Sequence, residues 1–230
     1  MTAAGAVVFD LFGTLVAAPT ARERARAAAR LAGAAGCAPA RVEHYLTGTW
    51  RPRHDGTLPG LDALAAHLAA AVGAPESAVA PVAAELRALG EERIRPDPPV
   101  RAALEALRGR GVAVGVLSDA AAEVAAAWPR GPLSALADAA VFSCEAGAVK
   151  PDPLLYRRIG AALGVPAHRT LYVGDGGGDE LRGALAAGMT PVAVRRRGGA
   201  ALVFGETPWP GPVLPGVEDV PARLAELMPA

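Results

Sequence analysis

The stretch AVVFDLFGTL, residues Ala6 to Leu15, decides the fold of this 230-residue chain. Its apolar run from Ala6 to Leu11 predicts a buried β-strand, and Gly13 predicts a tight loop after it. Asp10 lies at the end of this strand, where an ionised carboxylate is costly unless it is paired or binds a cation. Gly13 and Thr14 supply free backbone amides suited to a neighbouring anion. Asp10 is therefore a candidate functional residue.

Further strands and helices alternate along the chain. Four more apolar runs predict strands at Val112 to Leu117, Ala139 to Phe142, Thr170 to Val173 and Thr190 to Val194. Helical patterns are found at Pro98 to Arg108, Ala120 to Trp128, Pro153 to Leu163 and Glu180 to Ala187. This alternation predicts βα units and a doubly wound α/β fold with a parallel sheet.

One long segment interrupts the alternation. Residues 18–95 contain helical patterns without a convincing strand, which predicts an all-helical cap inserted into a core of residues 1–17 and 96–230. An insertion after the first strand would lie over the carboxyl ends of the strands, where such sheets bind ligands, so we expect a lid. Beyond Arg197 a Gly- and Pro-rich stretch to Gly216 predicts a surface tail, followed by a helix at Val220 to Leu227.

Composition excludes several classes of protein. The 23 basic and 23 acidic residues balance, and the longest basic run, Arg195 to Arg197, is typical of a solvated strand end, so we expect no nucleic-acid partner. No uninterrupted apolar run approaches the roughly 18 residues of a membrane span, and no signal-peptide pattern is present. Cys37 and Cys144 fit no metal spacing. We expect a cytoplasmic monomer or homodimer that acts on a small molecule.

The motif LSD, Leu117 to Asp119, follows the second predicted strand. Ser118 precedes a helix, so its hydroxyl and the Asp119 amide lie where phosphate oxygens are often bound. A plain N-cap serine would show the same pattern. The residues alone leave both interpretations open.

The motif KPDP, Lys150 to Pro153, contains the only lysine of the chain. Every other basic position is an arginine, 22 in all, the 23 basic residues less one lysine. A compact ammonium suits a site crowded by a carboxylate and a phosphate, which favours a functional role for Lys150 over a solvated position.

The motif VGDGGGDE, Val173 to Glu180, places Asp175 and Asp179 around a run of three glycines. Together with Asp10 they form the all-oxygen donor set that Mg²⁺ prefers. Glu180 is interpreted as ordinary acidic content at a helix N-terminus.

These four motifs, in this order, resemble those of the haloacid dehalogenase superfamily of hydrolases, in the subfamily whose helical cap follows the first motif. The resemblance extends from about Ala6 to Arg195 and implies a Rossmann-like core. It implies that Asp10 is the nucleophile of a covalent aspartyl intermediate, that Ser118 binds an oxyanion, and that Lys150 stabilises both nucleophile and intermediate.

The resemblance also implies the remaining site. Asp10, the Phe12 carbonyl and Asp175 would bind Mg²⁺ directly, and Asp179 would bind it through water or would pair with Lys150. Gly13, Thr14 and Asp119 would contact an anionic substrate, with Thr14 ordering the loop.

Phe12 departs from the phosphatase pattern. It stands two residues after Asp10, where phosphatases of this superfamily carry an aspartate that acts as general acid, and losing such an acid costs about 10² to 10⁴-fold in rate. An aromatic residue here also resembles the L-2-haloacid dehalogenases, whose halide leaves unprotonated. Those enzymes carry asparagines in two other motifs, and this chain has none. A phosphatase, a dehalogenase and a binding protein that has lost catalysis remain as hypotheses.

A polar cluster within the cap is the last candidate. Trp50, Arg51, Arg53, His54 and Asp55 interrupt an Ala-rich region and could close over a substrate anion, with Arg51 and His54 as contacts. His54 could donate the missing proton. A solvated loop between helices is an equally good interpretation.

Overall fold

The computed structural model describes residues 5–195 and 209–228. Its six strands form one parallel sheet in the order β3-β2-β1-β4-β5-β6. The strands are β1 Ala6–Phe9, β2 Ala113–Ser118, β3 Ala139–Phe142, β4 Thr170–Gly174, β5 Thr190–Val194 and β6 Val213–Leu214. The predicted doubly wound α/β fold is confirmed.

Eleven α-helices accompany the sheet in the described part of the chain. Five lie within residues 18–95: α1 Ala21–Ala35, α2 Pro39–Gly48, α3 Trp50–His54, α4 Leu61–Ala71 and α5 Val79–Arg93. The others are α6 Pro98–Gly109, α7 Ala122–Ala127, α8 Ser143–Ala146, α9 Pro153–Leu163, α10 Glu180–Ala186 and α11 Val220–Leu227. None of these described helices is long and apolar enough to cross a membrane.

The sheet is buried on both faces because successive side chains of a strand point to opposite sides. In β1, Val7 and Phe9 pack into one apolar cluster, whereas Val8 packs into another. The same alternation holds in β4, where Tyr172 lies on the side of Val8 and Val173 on the side of Phe9. Helices cover each face, so the strands appear in the sequence as continuous apolar runs.

The predicted surface tail contains one short strand where it can be compared with the structure. Residues 198–208 of that segment lie outside the described residues. Val213–Leu214 forms β6, in register with Ala193 and Val194 of β5, and the Ala193 amide donates a hydrogen bond to the Pro212 carbonyl at 2.9 Å. A two-residue strand is too short to show alternation, and the prolines around it predict a loop.

Helix α7 is shorter than predicted. The Ala120 amide donates a hydrogen bond to Ser143 Oγ at 3.0 Å rather than entering the helix. At the other end, Trp128 begins a single 3₁₀ turn that contains Pro129. A tertiary contact therefore sets the start of α7, and the sequence pattern does not show it.

The inserted helices have an apolar cluster of their own, built mainly from α1, α4 and α5. Helix α1 is fixed at its start by a capping box between Thr20 and Glu23. The insertion contacts the rest of the molecule where α5 packs on α7, and Ala122 of α7 joins the cluster. At this contact a Cβ on Gly90 would overlap the Glu123 carbonyl oxygen, so only glycine allows the two backbones to approach so closely.

The order of the strands fixes where ligands can bind. The chain runs from β1 outward to β2 and β3, then crosses back to β4 on the other side of β1. The crevice at this switch point lies beyond the carboxyl ends of β1 and β4. Asp10 follows β1 and Asp175 follows β4, so the topology places both carboxylates at the crevice.

Candidate active site

Asp10 is held at the end of β1 by contacts to both of its carboxylate oxygens. Its backbone amide donates to the Val173 carbonyl at 2.9 Å, which continues the pairing of β1 with β4. Thr14 Oγ1 donates to Asp10 Oδ2 at 3.0 Å, and Lys150 Nζ donates to Oδ1 at 2.6 Å. The side chain is thus buried but paired, as a buried charge requires.

The loop after Asp10 depends on Gly13. Its φ of +89° lies in the left-handed region, and a Cβ built there would overlap the Asp175 carboxylate. Glycine therefore brings the first motif directly against the fourth.

Lys150 is the centre of a buried network. Its Nζ lies 2.6 Å from Asp10 Oδ1 and 2.5 Å from Glu180 Oε2, with the Leu117 carbonyl and the Tyr172 hydroxyl each at 3.4 Å. Burial by itself lowers the pKa of this ammonium, but Asp10 and Glu180 outweigh that effect and hold the pKa well above its usual value. Lys150 is therefore a cation at neutral pH.

Glu180 belongs to this network, so its interpretation as an ordinary helix-terminal acid is wrong. The residue is fully buried. Tyr172 OH donates to Glu180 Oε2 at 2.8 Å, and the Gly176 amide donates to Oε1 at 3.0 Å. Burial raises the pKa of the Glu180 carboxyl, and the nearby Asp10 raises it further, whereas Lys150 lowers it. One feature of the sequence could have pointed to Glu180. Tyr172 lies within an apolar strand, and the hydroxyl of a buried tyrosine usually has a hydrogen-bond partner.

Asp179 lies elsewhere. Its side chain is 41% exposed, and its Oδ1 lies 3.4 Å from Arg182 Nε. The expected pairing of Asp179 with Lys150 is therefore replaced by the pairing of Glu180 with Lys150. The run of three glycines allows the turn that brings Glu180, rather than Asp179, to Lys150. Asp179 itself has a φ of +57°.

Three carboxylates form a group that could hold a metal ion. One oxygen from each of Asp10, Asp175 and Glu180 lies within 4.8 Å of the others. The Gly177 amide donates to Asp175 Oδ1 at 2.9 Å and orients that side chain. An oxygen-only donor set of this kind fits a hard divalent cation.

The LSD motif lies beside this group. Ser118 is the last residue of β2, is buried, and has its Oγ 3.4 Å from the Asp119 carbonyl oxygen. Asp119 Oδ1 accepts a hydrogen bond from the Lys150 amide at 3.0 Å. Burial raises the pKa of the Asp119 carboxyl. This hydrogen bond ties the second motif to the third.

A cavity of about 780 Å³ opens between the carboxylate group and the inserted helices. Its floor includes Asp10, Phe12, Asp119, Lys150 and Asp175, and Glu180 also lines it. Its opposite wall is formed by residues of the insertion, among them Arg24, Leu46, Trp50, Arg53, His54 and Arg93. Five of the predicted site residues of the core thus line one cavity, which is large enough for a small metabolite, whereas Gly13, Thr14, Ser118 and Asp179 do not line it.

In the cap, Arg53 lines the cavity and the predicted contact Arg51 does not. The Arg51 side chain is 68% exposed, pairs with Asp55 at 3.3 Å, and does not line the cavity. Arg53 lines it instead, because its position two residues further along the short helix α3 turns it to the other side. The structure therefore does not support Arg51 as a substrate contact.

His54 lines the cavity but is poorly suited to donate a proton. Its ring stacks on Trp50 with centroids 4.5 Å apart, and Nδ1 lies 2.7 Å from the Trp50 carbonyl oxygen. Burial lowers the pKa of His54 to about 4, so the ring is neutral at pH 7. In a neutral ring that donates from Nδ1, Nε2 carries a lone pair and can only accept.

A doubly wound parallel sheet, a helical insertion facing the ends of its strands and a lysine-paired aspartate at the switch point define a capped, Rossmann-like α/β protein. Comparison with known proteins makes the assignment more specific. The chain belongs to the haloacid dehalogenase-like hydrolases, whose family model matches residues 4–188.

Two relatives found by sequence are phosphatases. The chain is 40% identical over 103 residues to a phosphatase of Mycobacterium tuberculosis, covering 44% of this chain and 47% of that protein. It is 39% identical over 100 residues to enolase-phosphatase E1 of Streptomyces avermitilis, covering 42% of this chain and 41% of that protein. Each match thus spans less than half the length of the relative.

Solved structures share the fold over nearly the whole chain. A 2-haloacid dehalogenase from Pseudomonas syringae has a TM-score of 0.70 at 22% identity, covering 97% of this chain and 99% of that one. A phosphatase from Thermococcus onnurineus has a TM-score of 0.66 at 18% identity, covering 96% and 97%. These similarities establish the fold.

Proposed function

We propose that this protein is a Mg²⁺-dependent phosphatase that hydrolyses a small phosphorylated metabolite through an aspartyl-phosphate intermediate. The observation that carries the proposal is the group of Asp10, Asp175 and Glu180 at the cavity, in which Asp10 and Glu180 pair with the buried Lys150. A nucleophilic carboxylate, a fixed ammonium and an oxygen-only cation site are the parts that phosphoryl transfer needs.

Asp10 attacks the phosphorus, and the bond from phosphorus to the ester oxygen breaks. Thr14 and Lys150 hold the carboxylate in place through Oδ2 and Oδ1. Lys150 and the Ser118 hydroxyl stabilise negative charge on the phosphoryl oxygens. Water then cleaves the aspartyl phosphate, which releases phosphate and restores Asp10.

A divalent cation fits the carboxylate group. Asp10, Asp175 and the Phe12 carbonyl would hold Mg²⁺, and the cation supplies neutralisation of charge on the transferring phosphoryl group. Glu180 pairs with Lys150 at 2.5 Å and so helps to hold the ammonium beside Asp10.

The leaving group receives no proton from residue 12, because that residue is Phe12. His54 does not replace it, since the ring is neutral and accepts at Nε2. We therefore expect fast hydrolysis of aryl and acyl phosphates, whose leaving groups need no protonation, and slow hydrolysis of alkyl phosphates.

Phe12 also favours a second candidate function, 2-haloacid dehalogenation. In that reaction Asp10 attacks carbon and a halide leaves without a proton, so an aromatic residue at position 12 has no cost. The acidic Asp175 and Glu180 beside Asp10 weigh against it, because they would repel a carboxylate substrate unless a cation binds there.

One experiment separates the candidates. 4-Nitrophenyl phosphate, acetyl phosphate, propyl phosphate and 2-chloropropanoate are incubated with the protein, with Mg²⁺ and then with EDTA. The phosphatase proposal expects release of phosphate from the first two, loss of that release in EDTA, and loss of it in Asp10→Asn. Halide release that persists in EDTA would replace this proposal by the dehalogenase. Binding of the esters without turnover of any compound would indicate a protein that has lost catalysis.

A further inference from the structure

Glu123 is a buried acid that the proposed chemistry does not use. It lies in the first turn of α7, is only 6% exposed, and lines the cavity shared with Asp10. Among the described residues none donates a hydrogen bond to its Oε2, which is shielded from solvent. A buried carboxylate oxygen without a hydrogen-bond donor lowers the stability of the fold, so the presence of Glu123 at this position calls for an explanation.

Arg53 faces the same cavity from the cap. Its Nη2 donates to the Leu46 carbonyl at 2.8 Å and its Nε to Thr49 Oγ1 at 3.3 Å, and no described carboxylate lies within 4 Å of its guanidinium. Burial lowers the pKa of Arg53, and the Glu123 carboxylate is the largest opposing influence. The charge of Glu123 therefore acts on Arg53, although the two side chains form no ion pair within 4 Å.

The position of Glu123 is set by packing rather than by a polar partner. Gly90 of α5 lies against the Glu123 carbonyl, and the neighbouring Ala122 and Val124 are buried in apolar clusters. This packing fixes the backbone of Glu123 at the boundary between core and cap.

We propose that Glu123 and Arg53 form a substrate-recognition site for a hydroxyl group on the alcohol part of the phosphate ester. A hydroxyl can donate to the Glu123 carboxylate and accept from the Arg53 guanidinium at once, because an alcohol oxygen is both a donor and an acceptor. The opposite charges of Glu123 and Arg53 balance locally, so a neutral ligand group suits the part of the cavity that they line better than a cation does. This inference rests on the proposed phosphatase function and adds to it a class of substrate, a polyol phosphate.

The competing explanation is a latch, in which Glu123 and Arg53 pair directly when the cap closes. A latch acts on every ligand alike, because it holds the cap rather than the ligand. Recognition of a hydroxyl acts only on ligands that carry one. A matched ligand series therefore distinguishes the two.

The test measures binding by calorimetry in the full chain carrying Asp10→Asn, which prevents turnover, in buffer with Mg²⁺. The ligands are propyl phosphate, glycerol 3-phosphate and 3-aminopropyl phosphate, which share a three-carbon chain and differ in hydroxyl and ammonium groups. We expect glycerol 3-phosphate to bind at least tenfold more tightly than propyl phosphate. Tightest binding of the ammonium compound, or no preference, would overturn the assignment.

Three variants complete the test. Glu123→Met keeps the length of the side chain and removes its oxygens, and we expect it to weaken glycerol 3-phosphate by about 10 to 100-fold while propyl phosphate changes little. Arg53→Met is expected to reduce the preference for glycerol 3-phosphate over propyl phosphate. Glu145→Met, at an exposed position of α8, makes the same change in charge and serves as the control. An equal loss for all three ligands would identify a latch and overturn the proposal.

Stability supplies an independent readout. Because Glu123→Met removes an unsatisfied buried carboxylate, we expect its thermal midpoint to rise by about 2 to 4 °C. A lower midpoint would show that Glu123 stabilises the fold and would contradict its role as a group kept for a ligand. Hydrolysis of 4-nitrophenyl phosphate by the parent, which involves no such hydroxyl, reports on the phosphatase proposal separately.

Discussion

Lys150 shows how much one side chain can depend on its neighbours. Its ammonium lies between Asp10 and Glu180, and without it the two carboxylates would remain buried with no described cation beside them. Breaking a buried pair by removing one partner is strongly destabilising, about 3 to 5 kcal/mol. The sequence pointed to Lys150 as the only lysine, but it gave no comparable sign for Glu180, whose partner lies 30 residues away.

His54 makes a testable contribution to stability at low pH. Its pKa is lowered from 6.5 to about 4 by burial and by the nearby Arg53 and Arg93. Between these values the unfolded chain binds a proton that the folded chain does not, so the free energy of unfolding falls as the pH falls. The loss approaches about 3 kcal/mol by pH 4.

The check compares denaturant unfolding of the parent and His54→Phe between pH 7 and pH 4. We expect the parent to lose more stability than the variant over this range, because phenylalanine stacks on Trp50 but takes up no proton. Parallel pH profiles for the two proteins would show that His54 is not held in its neutral form.

At the scale of elements, the contact of α5 with α7 couples the insertion to the core. Gly90 permits this contact, since a Cβ there would overlap the Glu123 carbonyl. In a helix interior, Gly→Ala normally stabilises by about 0.5 to 1 kcal/mol. We expect the opposite at this position: Gly90→Ala should lower the free energy of unfolding and weaken ligand binding in the cavity, because the cap must shift.

Gly33 of α1 provides a matched control. It also lies inside a helix, but nothing stands within 4 Å of a Cβ built there. Gly33→Ala should therefore raise stability by about 0.5 to 1 kcal/mol, as helix propensity alone predicts. Denaturant midpoints of the two variants give the comparison, and stabilisation by both substitutions would mean that α5 and α7 can separate freely.

At the scale of the whole molecule, binding of a cation should stabilise the folded chain. Mg²⁺ that binds only the folded state at 100 times its Kd adds about 2.7 kcal/mol. For a chain of this size that corresponds to a rise in thermal midpoint of about 5 to 10 °C. We expect Asp175→Asn to remove most of this rise, because Asp175 belongs to the carboxylate group.

Asp179→Asn is the control for that measurement. Asp179 lies outside the carboxylate group, and asparagine tolerates its positive φ, so the variant should keep the Mg²⁺-dependent rise. If Asp179→Asn abolished the rise and Asp175→Asn preserved it, the assignment of the cation ligands would have to be reversed.

The sequence by itself determined the elements and most of the motif positions. Apolar runs such as Ala6–Phe9 can be recognised locally because they are buried on both sides of the sheet, and the helix Pro153–Leu163 has the predicted limits. The motifs follow the strands, so a parallel order of strands brings Asp10, Ser118 and Asp175 to one edge of the sheet.

Tertiary structure decided which side chains meet. Glu180 rather than Asp179 pairs with Lys150, because the path of the glycine turn chooses between neighbouring acids and no periodic pattern records it. Arg53 rather than Arg51 faces the cavity, and Glu123 lines the same cavity from α7, which packs on α5. Such contacts join residues far apart in sequence, and their geometry depends on the packing of whole elements, which a local pattern does not contain.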